Sequence, residues 1–157
     1  MKGCSVEQIR LVIWDLDDTF WAGTISDGPV RQIKRNHDIV IALAERGIIS
    51  SICSINDESV ALAELQKSPI ADYFVLPSID WNPKGPRIRR LIEDLNLRPI
   101  NVLFIDDLAK NLEEARFVSP ELNVALPEIL DTLLDNPAVA GKPDPALKRL
   151  KRYKVLD

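Results

Sequence analysis

The sequence has few of the residues that form disulfides and zinc sites. It contains two cysteines, Cys4 and Cys53, and one histidine, His37, among 157 residues. Two cysteines are too few for a disulfide framework, and neither lies in a CxxC or Cys/His cluster typical of zinc. The sequence therefore excludes the disulfide-rich class, and we expect both cysteines to be reduced thiols.

Long apolar runs and an excess of positive charge are also lacking. No stretch approaches the roughly 18 apolar residues of a membrane span, and residues 1–10 lack the apolar segment of a signal peptide. The net charge is −4 and the pI is near 5.1, which gives no global basic footprint for nucleic acid or anionic lipid. We expect a cytoplasmic protein with no membrane partner, and nucleic acid is not favoured as a partner.

What the chain does have is enough apolar residues for one core. Hydrophobic residues make up 46% of the 157 positions, and a chain of this length buries about two-thirds of its unfolded surface. We predict a single domain over residues 1–157, which leaves open that the chain is one piece of a larger polypeptide.

The stretch of residues 11–21 is a strand-like apolar run that stops in carboxylates. Asp15, Asp17 and Asp18 follow Trp14 directly, and Phe20 and Trp21 come next. Apolar and β-branched residues favour a buried strand, whereas Asp favours a turn. The carboxylates should therefore lie past the carboxyl end of the strand, where open parallel sheets bind their ligands.

Along the rest of the chain, strand and helix patterns alternate. Further strands are predicted at residues 48–55, 73–76, 100–105 and 122–126, and helices at 30–46, 56–67, 87–96, 109–117, 128–134 and 146–153. Strands that alternate with helices require right-handed crossovers and a mostly parallel sheet covered on both faces. We predict an α/β fold, a three-layer sandwich with a Rossmann-like sheet.

In such a sheet the carboxyl ends of all strands meet at one edge. This edge should collect Asp15, Asp17, Ser54, the loop of residues 77–86 with Lys84, and the pair Asp106 and Asp107. Two carboxylates about 4 Å apart repel by roughly 4 kcal/mol at an effective dielectric of 20. A proton or a cation must offset this repulsion, and an oxygen-only ligand set fits Mg²⁺.

These residue types are suited to phosphoryl chemistry. Ser54 can donate a hydrogen bond to a phosphate oxygen, and Lys84 supplies a positive charge. A carboxylate can attack phosphorus, and Asp15 is the candidate nucleophile. Asp17 is the candidate general acid and base, although spacing alone does not settle which aspartate has which role.

The same residues resemble a known family. Residues 15–20 are similar to the DxDxT signature of the haloacid dehalogenase (HAD) superfamily, and Ser54, Lys84 and Asp106–Asp107 resemble its other three motifs in order. The resemblance covers residues 11–116. It implies a catalytic domain with Asp15 as nucleophile, Asp17 as acid and base, Ser54 and Lys84 as phosphate ligands, and Mg²⁺ held by Asp15, Asp17 and Asp106 with Asp107 nearby.

Residues 14–21, 52–58, 81–84 and 104–107 further resemble the capless branch IIIC, which includes magnesium-dependent phosphatases and FkbH-like domains. Asp18, Phe20 and Ile55 depart from the FkbH-like pattern. Members often insert a cap domain after the first motif or after the third strand, and this chain has room for neither. The resemblance thus implies an open crevice suited to a bulky phosphorylated substrate, such as a phosphoprotein, a carrier-bound group or a polymer end.

Several alternatives stay open at this point. The leading hypothesis is a phosphatase, and the second is FkbH-like transfer of a glyceryl group onto a carrier protein. A phospho-accepting receiver domain or a catalytically silent assembly module is less favoured. Among single residues, we interpret Asn56 as a helix N-cap, and Trp21 and Trp81 as loop-anchoring residues rather than a substrate platform.

Two groups of basic residues, one around Arg87 and one in residues 148–154, fit solvated helix faces. The group around Arg87 could alternatively attract an anion.

Overall fold

The computed structural model describes residues 6–157 and contains a five-stranded parallel sheet. The strands are β1 (Leu11–Trp14), β2 (Trp21–Ala22), β3 (Arg31–Gln32), β4 (Ile49–Ile55), β5 (Ser78–Asp80), β6 (Val102–Ile105) and β7 (Asn123–Ala125). The helices are α1 (Lys34–Ala44), α2 (Glu58–Leu65), α3 (Lys84–Asp94), α4 (Ala109–Val118) and α5 (Lys148–Lys154). The sheet order is β5-β4-β1-β6-β7, and β2 and β3 form a separate antiparallel pair. The predicted α/β fold is confirmed.

Helices cover both faces of this sheet. Side chains alternate along β1, so that Val12 and Trp14 pack with α1 and α2, whereas Leu11 and Ile13 pack with α3, α4 and α5. All four side chains are fully buried. This is the predicted three-layer sandwich, with a central strand that is apolar throughout because it is covered on both sides.

The strand predicted at residues 73–76 is wrong. A 3₁₀ helix occupies Pro69–Tyr73, Phe74 makes only an isolated bridge to Ser50, and the strand beside β4 is β5. Leu76 has a φ of 48°, which breaks the extended run before a strand can form. The predicted loop of residues 77–86 therefore contains β5 and the start of α3.

Two helix starts also differ from the prediction. Helix α1 begins at Lys34 rather than at 30 because Arg31–Gln32 pair with Trp21–Ala22. Helix α3 begins at Lys84 rather than at 87, since proline is tolerated in the first turn of a helix, where no intrahelical donor is needed.

Residues 128–134 are not an α-helix. They form two 3₁₀ helices, Pro127–Asp131 and Leu133–Asp135. The predicted strand at 122–126 is present as β7.

The register of the central strands brings two aspartates side by side. Trp14 in β1 pairs with Ile105 in β6, so Asp15 and Asp106 are the next residues on neighbouring parallel strands. The connections that follow β1 and β5 span residues 15–33 and 81–83. Neither connection contains an inserted domain.

No helix within residues 6–157 combines the length and the apolar character that crossing a membrane requires.

Candidate active site

A buried lysine joins the two central aspartates at the carboxyl edge of the sheet. Lys84 Nζ lies 2.9 Å from Asp15 Oδ1 and 2.6 Å from Asp106 Oδ2. The side chains of Lys84, Asp15 and Asp106 are 3%, 9% and 0% exposed. Charges this deeply buried persist only when they are paired, so the three groups form one interdependent cluster.

Helix α4 fixes the position of Asp106. The Leu108 amide donates to Asp106 Oδ1 over 2.9 Å, and Asn111 Nδ2 donates to Asp106 Oδ2 over 3.1 Å. With Lys84, these contacts give the Asp106 carboxylate three donors. It is therefore held in one orientation against Asp15.

Thr19 connects Asp15 to Asp107, the second aspartate of the pair Asp106–Asp107. Its Oγ1 lies 3.2 Å from Asp15 Oδ2 and 3.3 Å from Asp107 Oδ1. One carboxylate oxygen from each of Asp15, Asp106 and Asp107 lies within 4.8 Å of the other two. These three carboxylates could hold a metal ion.

The charges of the site favour such an ion. Three carboxylates face one lysine, so the cluster carries excess negative charge, and its ligands are hard oxygen atoms without histidine or cysteine. This donor set fits Mg²⁺. Part of the metal set predicted from the sequence is thus brought together, and the metal-binding role of each residue stays a prediction.

The pKa values of the cluster follow from its burial. Burial raises the pKa of Asp15 to about 7; Lys84 opposes this rise, and Asp106 adds to it. Burial also raises the pKa of Asp107. Although burial opposes its charge, the carboxylates of Asp15 and Asp106 raise the pKa of Lys84, which therefore stays charged. A divalent cation would favour the ionised form of Asp15 at neutral pH.

Asp17 lies on a tight turn after β1. Asp18 has a φ of 53°, a left-handed conformation that aspartate tolerates better than most residues. The carboxylate of Asp17 accepts hydrogen bonds from Trp21 Nε1 at 2.9 Å and from the Ile25 amide at 3.0 Å. It is not one of the three carboxylates that lie within 4.8 Å of one another.

Asn56 is not the N-cap of α2, which corrects the interpretation from sequence. Asp57 has that position and accepts from the Val60 amide. Asn56 is buried instead, and its Nδ2 donates to Asp17 Oδ2 at 3.1 Å and to Ser54 Oγ at 2.9 Å. It thereby links the end of β4 to Asp17.

A cavity of about 470 Å³ opens at this edge of the sheet. Four of the predicted site residues line it, namely Asp15, Asp17, Lys84 and Asp107. Ser54 and Asp106 do not line it and are buried. The wall includes Lys110 and the partly exposed apolar side chains of Ile55 and Leu108, none of which was predicted as a site residue.

The two tryptophans near the site differ. Trp21 is fully buried, which confirms its packing role, and its indole also holds Asp17. Trp81 is 68% exposed. The prediction that Trp81 anchors its loop by packing is therefore wrong, because the residues 81–83 that join β5 to α3 lie on the surface.

Comparison with solved structures identifies the fold. The chain matches no protein-family model and no curated protein. It is similar to the structure of the N-terminal part of the protein BF1531 from Bacteroides fragilis, which contains a phosphatase domain complexed with Mg. The two are 26% identical with a TM-score of 0.69 over 89% of this chain and 42% of that one.

The chain has a haloacid dehalogenase (HAD)-like fold. Two further neighbours share its fold at lower identity. The cobalt-bound deoxy-D-mannose-octulosonate 8-phosphate phosphatase of Haemophilus influenzae is 14% identical, with a TM-score of 0.64 over 97% of this chain and 92% of that one.

The 3-deoxy-D-manno-octulosonate 8-phosphate phosphatase of Moraxella catarrhalis, in complex with magnesium, phosphate and KDO, is 16% identical, with a TM-score of 0.56 over 83% of this chain and 88% of that one. The structural neighbours of this HAD-like chain are thus phosphatases, whereas the chain spans less than half of the Bacteroides structure.

Sequence reasoning assigned no role at the aspartates to several residues that organise this HAD-like site. Thr19, Asn111 and Trp21 each donate to an aspartate of the cluster or its loop. Thr19 is the threonine of the DxDxT signature, whereas the signal of Asn111 and Trp21 is position alone. Each of the three lies four or five residues after the aspartate that it contacts. Such spacing places two side chains together only if the intervening turn folds back, which could not be known in advance.

The Arg87 guanidinium is held by backbone carbonyl oxygens. It donates to the carbonyl oxygens of Ser54 and Ser78, both at 2.7 Å, and to that of Asn82 at 2.8 Å. It therefore joins the ends of β4 and β5 to α3 and is unavailable to the anion suggested as an alternative from sequence.

His37 stacks on Phe20, and burial raises the pKa of the Cys53 thiol to about 11. Both side chains pack against the rest of the protein.

Proposed function

We propose that this HAD-like chain is a magnesium-dependent phosphatase that hydrolyses a phosphoric monoester through an aspartyl-phosphate intermediate. The observation that carries the proposal is the position of Asp15. Its carboxylate lines an open cavity while Lys84 and Thr19 contact its two oxygens. A carboxylate held in this way can approach a phosphorus atom in one orientation, which is what nucleophilic attack requires.

In the first step, an Asp15 oxygen forms a bond to phosphorus, and the bond from phosphorus to the leaving oxygen breaks. Asp17 donates the proton that the leaving oxygen takes up. In the second step, Asp17 accepts a proton from water as the water oxygen attacks phosphorus. The bond between Asp15 and phosphorus then breaks, and inorganic phosphate is released.

Lys84 and a bound Mg²⁺ would supply positive charge around the transferring group. Asp15, Asp106 and Asp107 would hold Mg²⁺, which would neutralise charge on the phosphoryl oxygens. Lys84 keeps Asp15 and Asp106 together when the phosphate enters. Ser54, whose hydroxyl accepts from Asn56, is proposed to turn its own hydrogen towards a phosphate oxygen.

The size of the substrate is a separate prediction. The short connections leave the cavity open, which is compatible with the bulky phosphorylated substrate expected from sequence. The Moraxella structure contains KDO and a phosphate ion, which are small molecules, and gives no support for a bulky or carrier-bound one. Phosphate release should be screened over sugar phosphates, phosphopeptides and nucleotide ends.

The decisive experiment measures phosphate release from an aryl phosphate with and without Mg²⁺. We expect Asp15→Asn to lower the rate by at least about 1,000-fold, because the amide is not a nucleophile. The matched control is Asp27→Asn, since Asp27 is exposed and does not line the cavity. The control should stay within about fivefold of wild type. Full activity in Asp15→Asn would exclude the proposed intermediate.

A further inference from the structure

A second cavity, of about 430 Å³, lies at the opposite edge of the sheet from Asp15. Ile9 and Arg10 lead into β1, and Gly47 and Ile48 lead into β4, so the cavity lies at the amino ends of the central strands. Residues 140–144 and helix α5 complete its walls. No step of the proposed phosphatase reaction uses this region.

The walls of this cavity are strongly basic. Six cationic side chains line it: Arg10, Arg46, Lys142, Lys148, Arg149 and Arg152. The lining contains one carboxylate, that of Asp144, which accepts from the backbone amides of Lys148 and Arg149. Within residues 6–157, none of the six cations has a carboxylate oxygen within 4.0 Å.

This concentration of positive charge contrasts with the chain as a whole, whose net charge is −4. Like charges that share a concave surface repel one another and raise the local concentration of anions. Four of the six cations are arginines, of which Arg46 already donates to two backbone carbonyl oxygens. The planar guanidinium groups of the other three can match phosphate oxygens in a two-pronged geometry. The volume falls within the range of small-molecule sites.

The backbone around the cavity is tightly packed. Arg46 Nη1 donates to the carbonyl oxygens of Leu134 and Val139, at 2.9 and 3.0 Å. Gly141, which has a φ of +59°, lies so close that an added Cβ would stand 2.3 Å from the Arg46 carbonyl oxygen. The segment that carries Lys142 is thus fixed against the end of α1.

We propose that this cavity binds a small anion that carries two or more phosphoryl groups. Such an anion would engage several guanidinium groups at once and would relieve their mutual repulsion. The site is separate from Asp15 and does not depend on the proposed phosphatase activity.

The test titrates tripolyphosphate into the ¹⁵N-labelled protein in metal-free buffer at 150 mM salt and follows the glycine amides by NMR. Gly47 and Gly141 line the basic cavity, whereas Gly23 and Gly85 lie beside Asp18 and Lys84 at the other edge. We expect saturable shifts at Gly47 and Gly141 with one ligand bound per chain. The amides of Gly23 and Gly85 should stay in place.

Charge reversal provides the matched comparison. The double variant Lys148→Glu/Arg152→Glu changes two exposed side chains of the cavity and should weaken binding at least 10-fold. Arg116→Glu changes an exposed arginine on α4, outside the cavity, and should leave affinity within about threefold of wild type. The amide spectra of both variants check that the fold is retained.

Three results would overturn the proposal. The first is that no amide shifts at millimolar tripolyphosphate, and the second is that only Gly23 and Gly85 shift. The third is that Arg116→Glu loses as much affinity as Lys148→Glu/Arg152→Glu. The last result would mean diffuse attraction to the surface rather than a site.

Discussion

The two edges of the central sheet both concentrate charge, but they hold it differently. At the carboxyl edge, Asp15, Lys84 and Asp106 are buried, and Lys84 Nζ lies within 3 Å of an oxygen of each carboxylate in two ion pairs. At the amino edge, Arg10, Lys148 and their neighbours surround an open cavity without carboxylate partners among the described residues. One edge is a closed network, and the other is a set of separate cations.

This difference follows from desolvation. A buried charge loses its hydration and depends on its partner, so removal of one member leaves the others uncompensated. An exposed cation keeps its water, and its removal changes the local potential more than the free energy of unfolding. The carboxyl edge should therefore determine both stability and catalysis, whereas the exposed basic side chains of the amino edge, such as Lys148 and Arg152, should determine binding alone.

The strongest test of this contrast removes one lysine at each edge. Lys84→Met keeps the length of the side chain but leaves Asp15 and Asp106 buried without a cation. We expect a loss of about 3–5 kcal/mol in the free energy of unfolding, partly recovered by Mg²⁺, measured by urea denaturation. Lys148→Met, the control at the amino edge, should change stability by less than about 0.5 kcal/mol. Similar losses of unfolding free energy in both variants would show that the two edges do not differ in their contribution to stability.

The amino edge is nevertheless rigid in its backbone, which a pair of glycines can reveal. Gly47 and Gly141 both have left-handed φ values, +73° and +59°. Alanine at Gly47 would meet no atom closer than 3.8 Å, so Gly47→Ala should cost about 1 kcal/mol of backbone strain.

Gly141→Ala adds a steric clash to the same strain, because the new Cβ would lie 2.3 Å from the Arg46 carbonyl oxygen. We expect a total loss of about 2–4 kcal/mol by the same urea denaturation. Equal losses for the two alanines would show that this segment moves away at little cost. The backbone at the amino edge would then be flexible, and its basic side chains would still be exposed.

The carboxyl edge was predictable from sequence because its parts follow a rule of topology. Asp15 and Asp106 each come directly after an apolar strand, and parallel strands end at one edge, so their proximity needs no knowledge of side-chain packing. The position of Lys84 at the start of a helix was harder to predict. Pro83 and Pro86 were interpreted as loop residues, whereas Pro86 is accommodated in the first turn of a helix whose first residue is Lys84.

The basic cavity could not be predicted: Lys148, Arg149 and Arg152 belong to a basic group visible in the sequence, but Arg10, Arg46 and Lys142 are far from it along the chain. They meet only because the segment after residue 139 packs against the end of α1, through contacts such as those of Arg46 with Leu134 and Val139. The choice between Asn56 and Asp57 as N-cap was likewise undecidable locally, because both residue types cap helices well. Burial of Asn56 beside Asp17 decided it.

The smallest predicted effect is on activity and stability when Asp17, at the carboxyl edge, loses the indole that orients it. Trp21→Phe keeps an aromatic ring in the core but removes the indole donor to Asp17 Oδ1. Loss of one hydrogen bond to a charged group should cost about 1–2 kcal/mol of stability. If Asp17 moves the proton, kcat should fall about 10-fold while KM stays constant, because Trp21 orients the acid without lining the cavity.

Trp81→Phe is the control for this variant, since Trp81 is an exposed tryptophan on the connection between β5 and α3. Both its kcat and its stability should match wild type. A KM effect in Trp21→Phe would mean instead that the turn around Asp17 positions the substrate. Charged groups at both edges would then act in ligand binding. The two edges would differ only in how deeply those groups are buried.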